Sequence, residues 1–434
     1  MSTPRSVKGM RDLLPPETAV WAAVEQTARR VFALYGFTEI RTPIVEETEL
    51  FVRGVGESTD IVGKEMYTFE DKGGRSLTLR PESTAPVARA FVEHRLRDLH
   101  YPQRLFYIGP QFRYERPQKG RYRQFHQIGA EVFDEPHPPA DVDLLLMLLR
   151  FLGELGFSGL VVRLNTVGHP QCRQAYAAEL AGFLERHVEV LGEDSRRRLA
   201  TNPLRILDTK VPAERELVAS APALVDHLCP ECREHFAGVR ELLDRRQVAY
   251  VVDPKLVRGL DYYTRTVFEI TSSELGAQDA IVGGGRYDGL VELVAGLGGP
   301  EASGLGFAIG EDRLIEILPE SFRASVRQSQ PAPVTVVLIY EQGEGGPKNS
   351  RGGHDLDLAE ELRAAGISVV AELGDPKKKL GAALARAERR GSRYVLLLGS
   401  KELEDGDVAV KDLQSGEQKT VRRDQIVAYL EDKR

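Results

Sequence analysis

The residues best suited to chemistry in this sequence are arginines set beside glycines and rings. Alternate side chains of a strand share a face, so along the run 123–133 Phe125, Gln127, Gly129, Glu131 and Phe133 stand together, with Ile128, Ala130 and Val132 opposite. The first face is odd for a core. Gln127 and Glu131 flank a glycine, which leaves a gap about one side chain wide between two hydrogen-bond acceptors. With Phe125 for ring stacking, such a floor fits a small cationic or amine-bearing ligand beside a nucleobase. A half-exposed strand with polar outward residues fits it as well. The run 104–114 repeats the device with Tyr107, Gly109, Gln111 and Arg113, which weakens that second reading. It also puts Arg113 beside the pocket, where a guanidinium can grip a phosphate with two hydrogen bonds.

Other candidates stand further along. The loop Arg116-Pro117-Gln118-Lys119-Gly120-Arg121 is basic enough to hold a triphosphate tail or a nucleic-acid end, or simply to be solvated. Arg258-Gly259-Leu260-Asp261-Tyr262-Tyr263 sets an arginine beside two tyrosines, and Glu311-Asp312-Arg313 opens a helix where an anion or a ring can be met. There is no G-x-x-x-x-G-K-[ST], and residues 304–310 miss G-x-G-x-x-G by one position. Gly283, Gly284 and Gly285 admit either a close-lying ligand or a tight bend. Cys229-Pro230-Glu231-Cys232 has His227 and His235 nearby, but a structural zinc site normally shows a second, similarly spaced ligand pair. No metal site is expected.

The elements that must position these residues follow from periodicity. A helix over 20–35 and a strand over 76–80 precede the hairpin of 104–114 and 123–133, whose turn at 115–122 is rich in Pro, Gly, Lys and Arg. Residues 170–247 are helical and charge-rich, with Tyr176, Leu180, Phe183, Leu184 and Val188 spaced for one buried face, and read as an insertion. Strands resume at 248–252 and 264–271, then come glycine-dense runs at 282–289 and 304–310. A Ser-, Gln- and Pro-rich stretch at 319–333 reads as a linker. Beyond it, strands at 334–340, 368–373 and 394–398 alternate with helices at 355–365 and 377–390, which predicts a small parallel α/β domain.

With 434 residues, 42% hydrophobic and 28% charged, two or three domains are expected. The net charge of −7 offers a polyanion no overall attraction, so any such partner must meet local basic patches. No apolar run reaches the length of a membrane helix, the first residues lack a signal-peptide core, and three cysteines make no disulfide framework. A soluble, cytoplasmic protein is expected.

On these residues the chain resembles the histidyl-tRNA synthetases, a family of class II aminoacyl-tRNA synthetases, over nearly its whole length. Phe112-Arg113-Tyr114-Glu115-Arg116 with Gly120-Arg121-Tyr122-Arg123-Gln124-Phe125 resembles class motif 2, and the run from Gly304 to Arg313 resembles motif 3. Arg258 to Tyr263 and Gly283 to Asp288 resemble segments particular to the histidine enzymes, and residues 40–50 with Pro43 resemble motif 1. The resemblance implies an α+β fold: an antiparallel class II catalytic sheet with flanking helices (1–169 and 248–318), a helical insertion (170–247), the linker 319–333 and a C-terminal α/β anticodon-binding domain (334–434). It also implies a homodimer acting on L-histidine, ATP with Mg²⁺, and tRNA(His), through histidyl-adenylate.

Carried over by residue, Glu82, Thr84 and Gln127 hold the α-amino group, and Glu131 with Tyr262 and Tyr263 lines the imidazole pocket. Arg113 and Arg258 act on the α-phosphate. Glu115, Arg121, Phe125 and Arg313 join Arg113 around ATP, and Gln118, Lys119 and Arg123 meet the tRNA acceptor end. Two departures stand out: Ser83 occupies a place where the family usually has glycine, and the segment 341–354 is longer than usual. A catalytically silent histidine-binding relative, or an acid-activating ligase without tRNA, would share the fold. The last domain and the full arginine set argue against both.

Overall fold

The computed structural model describes residues 3–433 apart from 57–58, 60, 119, 202, 208, 210, 257–261, 273–279, 297–300, 330–332, 340–341, 344–345, 348–352 and 373–379. Residues 1–326 and 327–434 form two compact units.

An eight-stranded sheet organises the first unit. Its spatial order is Thr38–Glu39, Gln103–Phe112, Gln124–Phe133, Gly304–Gly310, Ala280–Arg286, Thr264–Ser272, Leu160–Thr166 and Tyr250–Val252. The six inner strands pair antiparallel, and the two short edge strands pair parallel to their neighbours. The hairpin expected at 104–133 is there, with Tyr107 opposite Gly129 and Leu105 opposite Glu131.

One face of the sheet is oily. Ile128, Ala130 and Val132 join Phe106, Leu305, Phe307, Ile309, Phe268 and Ile270 in a core closed by helices Glu17–Leu34 and Pro138–Glu154. The first helix turns Val20, Val24, Ala28, Val31 and Phe32 inward at helical spacing. It stops at Gly36, whose φ of +78° lets the Phe37 N–H return to the Phe32 carbonyl at 3.1 Å and the Gly36 N–H to Ala33 at 3.1 Å. Phe37 thereby lands on Phe32, which also meets Phe106, Phe151 and Phe307 with ring centroids 5.4 to 5.8 Å away. Truncating a side chain packed this way costs about 3–5 kcal/mol. The opposite face carries Tyr107, Phe133, Tyr262, Tyr263, Val267 and Tyr287 under helix Thr84–Glu93.

The helical stretch has a small core of its own, in which Tyr176, Leu180 and Leu184 of helix Pro170–Glu185 meet Ile206, Val218 and Leu228. Val188 departs from the expected face and is exposed, because the helix ends at Glu185 and a short 3₁₀ turn redirects the chain. The last helix, Pro230–Arg245, buries Phe236, Val239 and Leu243 in the main core. Residues 319–333 do not form an open linker along their length: Glu320–Ser329 is a helix, and its Val326 is buried in that same core.

In the second unit the strand order is Val369–Glu372, Val334–Leu338, Tyr394–Leu398, Asp407–Asp412, Gln418–Arg422. The first three are parallel, as the alternation with helices implies. The last two add an antiparallel hairpin that the sequence reading lacked. Its turn is signalled by Asp412, whose carboxylate accepts the N–H groups of Gln414 and Ser415, and by Gly416 at φ +77°. No helix among the described residues is long and apolar enough to cross a membrane.

Candidate active site

The segment from Arg80 to Thr84 links strand Ser76–Leu79 to helix Thr84–Glu93 and is locked from both sides. Buried Arg80 donates to the carbonyls of Pro110 and Thr42, each at 3.0 Å. Gly109 makes room for it, since a Cβ there would lie 2.8 Å from the guanidinium. Glu82, thus fixed, accepts the free first-turn amides of Thr84 (2.7 Å) and Ala85 (3.0 Å). Thr84 passes the contact on: its hydroxyl donates to Glu131 at 2.7 Å. Tyr107 donates to the same oxygen at 3.4 Å, and Tyr287 donates to the other.

Two carboxyls therefore lie buried side by side. Burial pushes Glu131 up to about 8; the Tyr287 and Thr84 hydrogen bonds oppose this, while the charge of Glu82 adds to it. Glu82 is raised too, because burial outweighs its amide bonds and the pull of Arg113. Such a recess gains most from a ligand that brings positive charge or N–H donors.

Glycines shape it. The gap expected at Gly129 is filled by Tyr107 from the facing strand, whose ring a Cβ would meet at 2.3 Å. A Cβ at Gly306 would lie 1.8 Å from the Glu131 carboxylate, and one at Gly304 2.2 Å from Tyr287. Gly284 packs against the Gly306 carbonyl and Phe268, while Gly285, at φ +157°, stands where the register shifts beside Arg286, so the run serves both close packing and a local irregularity of the strand. Tyr262 stacks obliquely with Tyr263 at 4.9 Å and meets Tyr287 edge-on at 5.6 Å. Gln127 is buried, with its carbonyl oxygen unpaired in the protein.

Arg113 adjoins this recess. Its Nε donates to the Pro81 carbonyl at 2.9 Å and its guanidinium stands 5.2 Å over Phe125. Glu115 lies 3.9 Å from Arg113 and 3.6 Å from the exposed Arg121. The hairpin tip closes through a backbone bridge between Gln118 and Arg121. Arg123 is occupied structurally: it lies 3.8 Å over Tyr114 and donates to the Glu115 carbonyl at 3.2 Å. Arg313 is half-buried on helix Glu311–Glu316. That helix is pinned to the hairpin by Asp312, which accepts the His126 N–H at 2.7 Å and Arg11 at 3.1 Å. Burial alone would raise the Asp312 carboxyl, but these bonds hold it low. Arg258 and Lys119 lie outside the described residues, as does most of 341–354.

Ser83 adopts an unstrained φ of −115° and ψ of −9°, and its buried hydroxyl accepts Gln111 at 2.7 Å. Sequence reasoning gave no role to Arg80, Tyr287, Arg286 or Asp141. Fully buried Arg286 grips Asp141 at 2.6 Å, tying strand Ala280–Arg286 to helix Pro138–Glu154, and His235 lies 3.3 Å from the same carboxylate. His227 instead faces Glu179 at 3.1 Å, so neither histidine considered as a zinc ligand joins the cysteines. The signal for Tyr287 and Arg286 was the Gly-Gly-Gly-Arg-Tyr-Asp run, where bare strand positions make room for large neighbours.

An antiparallel sheet bearing an acid recess and a stacked arginine, followed by a small α/β unit, is the arrangement of a class II aminoacyl-tRNA synthetase. The histidyl-tRNA synthetase family profile matches residues 9–314, and an anticodon binding domain matches residues 353–433. The chain belongs to the histidyl-tRNA synthetase family. It is 47% identical over 431 residues to a histidine–tRNA ligase of Nitratidesulfovibrio vulgaris, covering 99% of both chains. It is 46% identical to that of Koribacter versatilis, covering 98% of this chain and 96% of the other. A crystal structure of apo S. aureus histidyl-tRNA synthetase is similar at TM-score 0.78 and 32% identity, covering 98% of this chain and 99% of that one.

Proposed function

We propose that the protein joins L-histidine to tRNA(His) in two steps, and the observation that carries this is the buried Glu82–Thr84–Glu131 chain beside Arg113. Histidine brings what the recess lacks, an ammonium group and a ring with two nitrogens. Glu82, Thr84 and Gln127 hold the ammonium; Glu131 accepts from the imidazole, which lies among Tyr262, Tyr263 and the tyrosines that brace Glu131. A site built around such contacts rejects analogues lacking them, because its own buried groups would go unpaired.

In the first step a carboxylate oxygen of histidine attacks the α-phosphorus of ATP, and the bond to pyrophosphate breaks. Negative charge accumulates on the α-phosphate oxygens. Arg113, already held by Pro81 and Phe125, needs little reorganisation to meet that charge. Arg258 acts with it, Phe125 and Glu115 hold adenine, and Arg121 and Arg313 take the outer phosphates. Mg²⁺ would accompany ATP through its outer phosphates, since hard cations prefer oxygen ligands. In the second step a ribose hydroxyl at the tRNA 3′ end attacks the histidyl carbonyl and AMP leaves, with Gln118, Lys119 and Arg123 near the acceptor end.

Family membership supports a cytoplasmic homodimer with the C-terminal unit on the anticodon. Histidine-dependent exchange of pyrophosphate into ATP, followed by charging of purified tRNA scored by amino acid, tests the proposal. Histidine binding with no exchange would overturn it in favour of a silent binding protein.

A further inference from the structure

Two helix beginnings meet in the helical insertion. His169-Pro170-Gln171-Cys172 opens helix Pro170–Glu185, and Cys229-Pro230-Glu231-Cys232 opens helix Pro230–Arg245. Both are built alike: an extended first residue (φ −75°, ψ 168° at His169; φ −65°, ψ 161° at Cys229), proline at the first helical position, and cysteine two residues later. Proline there pre-sets the helix without sacrificing a hydrogen bond. The side chains converge. The ligand atoms of His169, Cys229 and Cys232 all lie within 4.8 Å of one another, with Nδ1 of His169 3.8 Å from the Cys229 sulfur. The Cys172 sulfur accepts the Cys229 N–H at 3.3 Å, which sets a third thiol at the edge of this cluster.

We propose that His169, Cys172, Cys229 and Cys232 form a structural zinc site that clamps the first helix of the insertion to its last. Three thiols and an imidazole suit zinc and exclude hard cations such as Mg²⁺. Zinc bonds of about 2.3 Å to sulfur and about 2.1 Å to nitrogen give a tetrahedron with edges of about 3.5–3.8 Å, so His169, Cys229 and Cys232 need to draw together by about an ångström and Cys172 has to turn in as the fourth ligand. Four protein ligands leave no open position for water, which makes the site structural and not catalytic. No metal was expected from the sequence, for want of a second ligand pair. That pair exists, with histidine as its first member.

Binding releases the thiol protons, and the imidazole must coordinate through a bare Nδ1. Its Nε2 now accepts from Arg265 at 3.0 Å. With zinc on Nδ1, Nε2 carries the proton, and Arg265 turns to Asp288, whose carboxylate lies 3.9 Å away. The clamp closes a long loop, since Cys172 and Cys229 are 57 positions apart, and so restricts the unfolded chain. It also steadies Arg173, which donates to the Tyr263 carbonyl at the wall of the substrate recess.

This inference stands independently of the proposed activity, and metal analysis tests it. The untagged full-length chain, purified under reducing conditions, is expected to hold about one zinc per chain through dialysis. Cys172→Ser and Cys229→Ser should lose it, while His169→Cys keeps it. Should the serine variants fold poorly, Co²⁺ titration of the metal-stripped native sequence gives a second reading. The strong visible bands of tetrahedral thiolate-bound cobalt are expected, shifted in His169→Cys. A zinc-free protein with a featureless cobalt titration would overturn the proposal. So would equal metal in the serine variants, or a Cys229–Cys232 disulfide in the unreduced chain.

Discussion

Glu311 opens the helix that carries Arg313, yet it is fully buried and neither of its carboxyl oxygens has a hydrogen-bond partner in the protein. Burial, reinforced by the nearby charges of Glu25 and Asp312, pushes its carboxyl from 4.5 up to about 9. At neutral pH it therefore carries a proton in the folded state and none in the unfolded one. The folded-state value is the higher, so stability is fully present below about 4.5 and is lost as pH rises toward about 9. Glu311→Gln keeps the shape and removes the titration. Its advantage over the native sequence should grow by about 1.4 kcal/mol per pH unit, which is about 3 kcal/mol between about pH 5.5 and about pH 8. Groups that titrate alike in both proteins cancel in the difference. Urea unfolding followed by fluorescence suits the measurement, because Trp21 is the sole tryptophan and is buried in the same unit as Glu311. Parallel stability curves for the two proteins across this range would refute the reasoning and mean that water or a cation reaches the carboxylate.

Other perturbations read the recess directly. Tyr287→Phe removes a donor to buried Glu131 and, at about 0.5–1.5 kcal/mol for a hydrogen bond, should raise the KM for histidine by roughly 2- to 10-fold with the KM for ATP nearly unchanged in pyrophosphate exchange. Arg113→Ala should cut the rate of adenylate formation by about 100-fold or more in single-turnover assays, with a much smaller change in histidine affinity. Gly306→Ala drives a methyl group into the Glu131 carboxylate and the Ala130 carbonyl, and should cost about 1–3 kcal/mol in urea unfolding and weaken histidine binding more than ATP binding.

The hairpin was legible because period-two alternation, a glycine- and arginine-rich turn and one apolar face all agree over 104–133. Ile128, Ala130 and Val132 pack inward as their parity requires. What lines the other face was harder to read. Parity says that Gly129 leaves a gap, but only the cross-strand register says that Tyr107 fills it. Likewise Arg286 and Tyr287 are neighbours in sequence with unrelated partners, Asp141 and Glu131, each more than a hundred positions away. The proposed zinc ligands escaped notice for a related reason. Cysteine spacing drew attention to the nearest histidines, while the fold brings in His169, 60 positions from Cys229. The C-terminal hairpin was missed because Asp407–Asp412 offers only three consecutive buried residues between charged ends, and its partner Gln418–Arg422 is a polar, mostly exposed edge strand with no apolar alternation.

The same register bears on how a site of ordinary side chains can select one amino acid. Glu131 receives hydroxyl donors from Thr84, Tyr107 and Tyr287, three different segments of chain, and glycines at 129, 304 and 306 let those groups reach it. The carboxylate is thereby held in one position with little freedom to follow a ligand. In the proposed reaction an imidazole N–H meets that fixed acceptor, and a side chain of similar size without the donor would leave it buried and unpaired, a loss of about 1–3 kcal/mol before any change in packing. Discrimination on this account resides less in the residues that touch histidine than in the three glycines behind them. Enlarging any one of them should relax selectivity along with affinity, whereas truncating Arg113 should slow every accepted substrate alike.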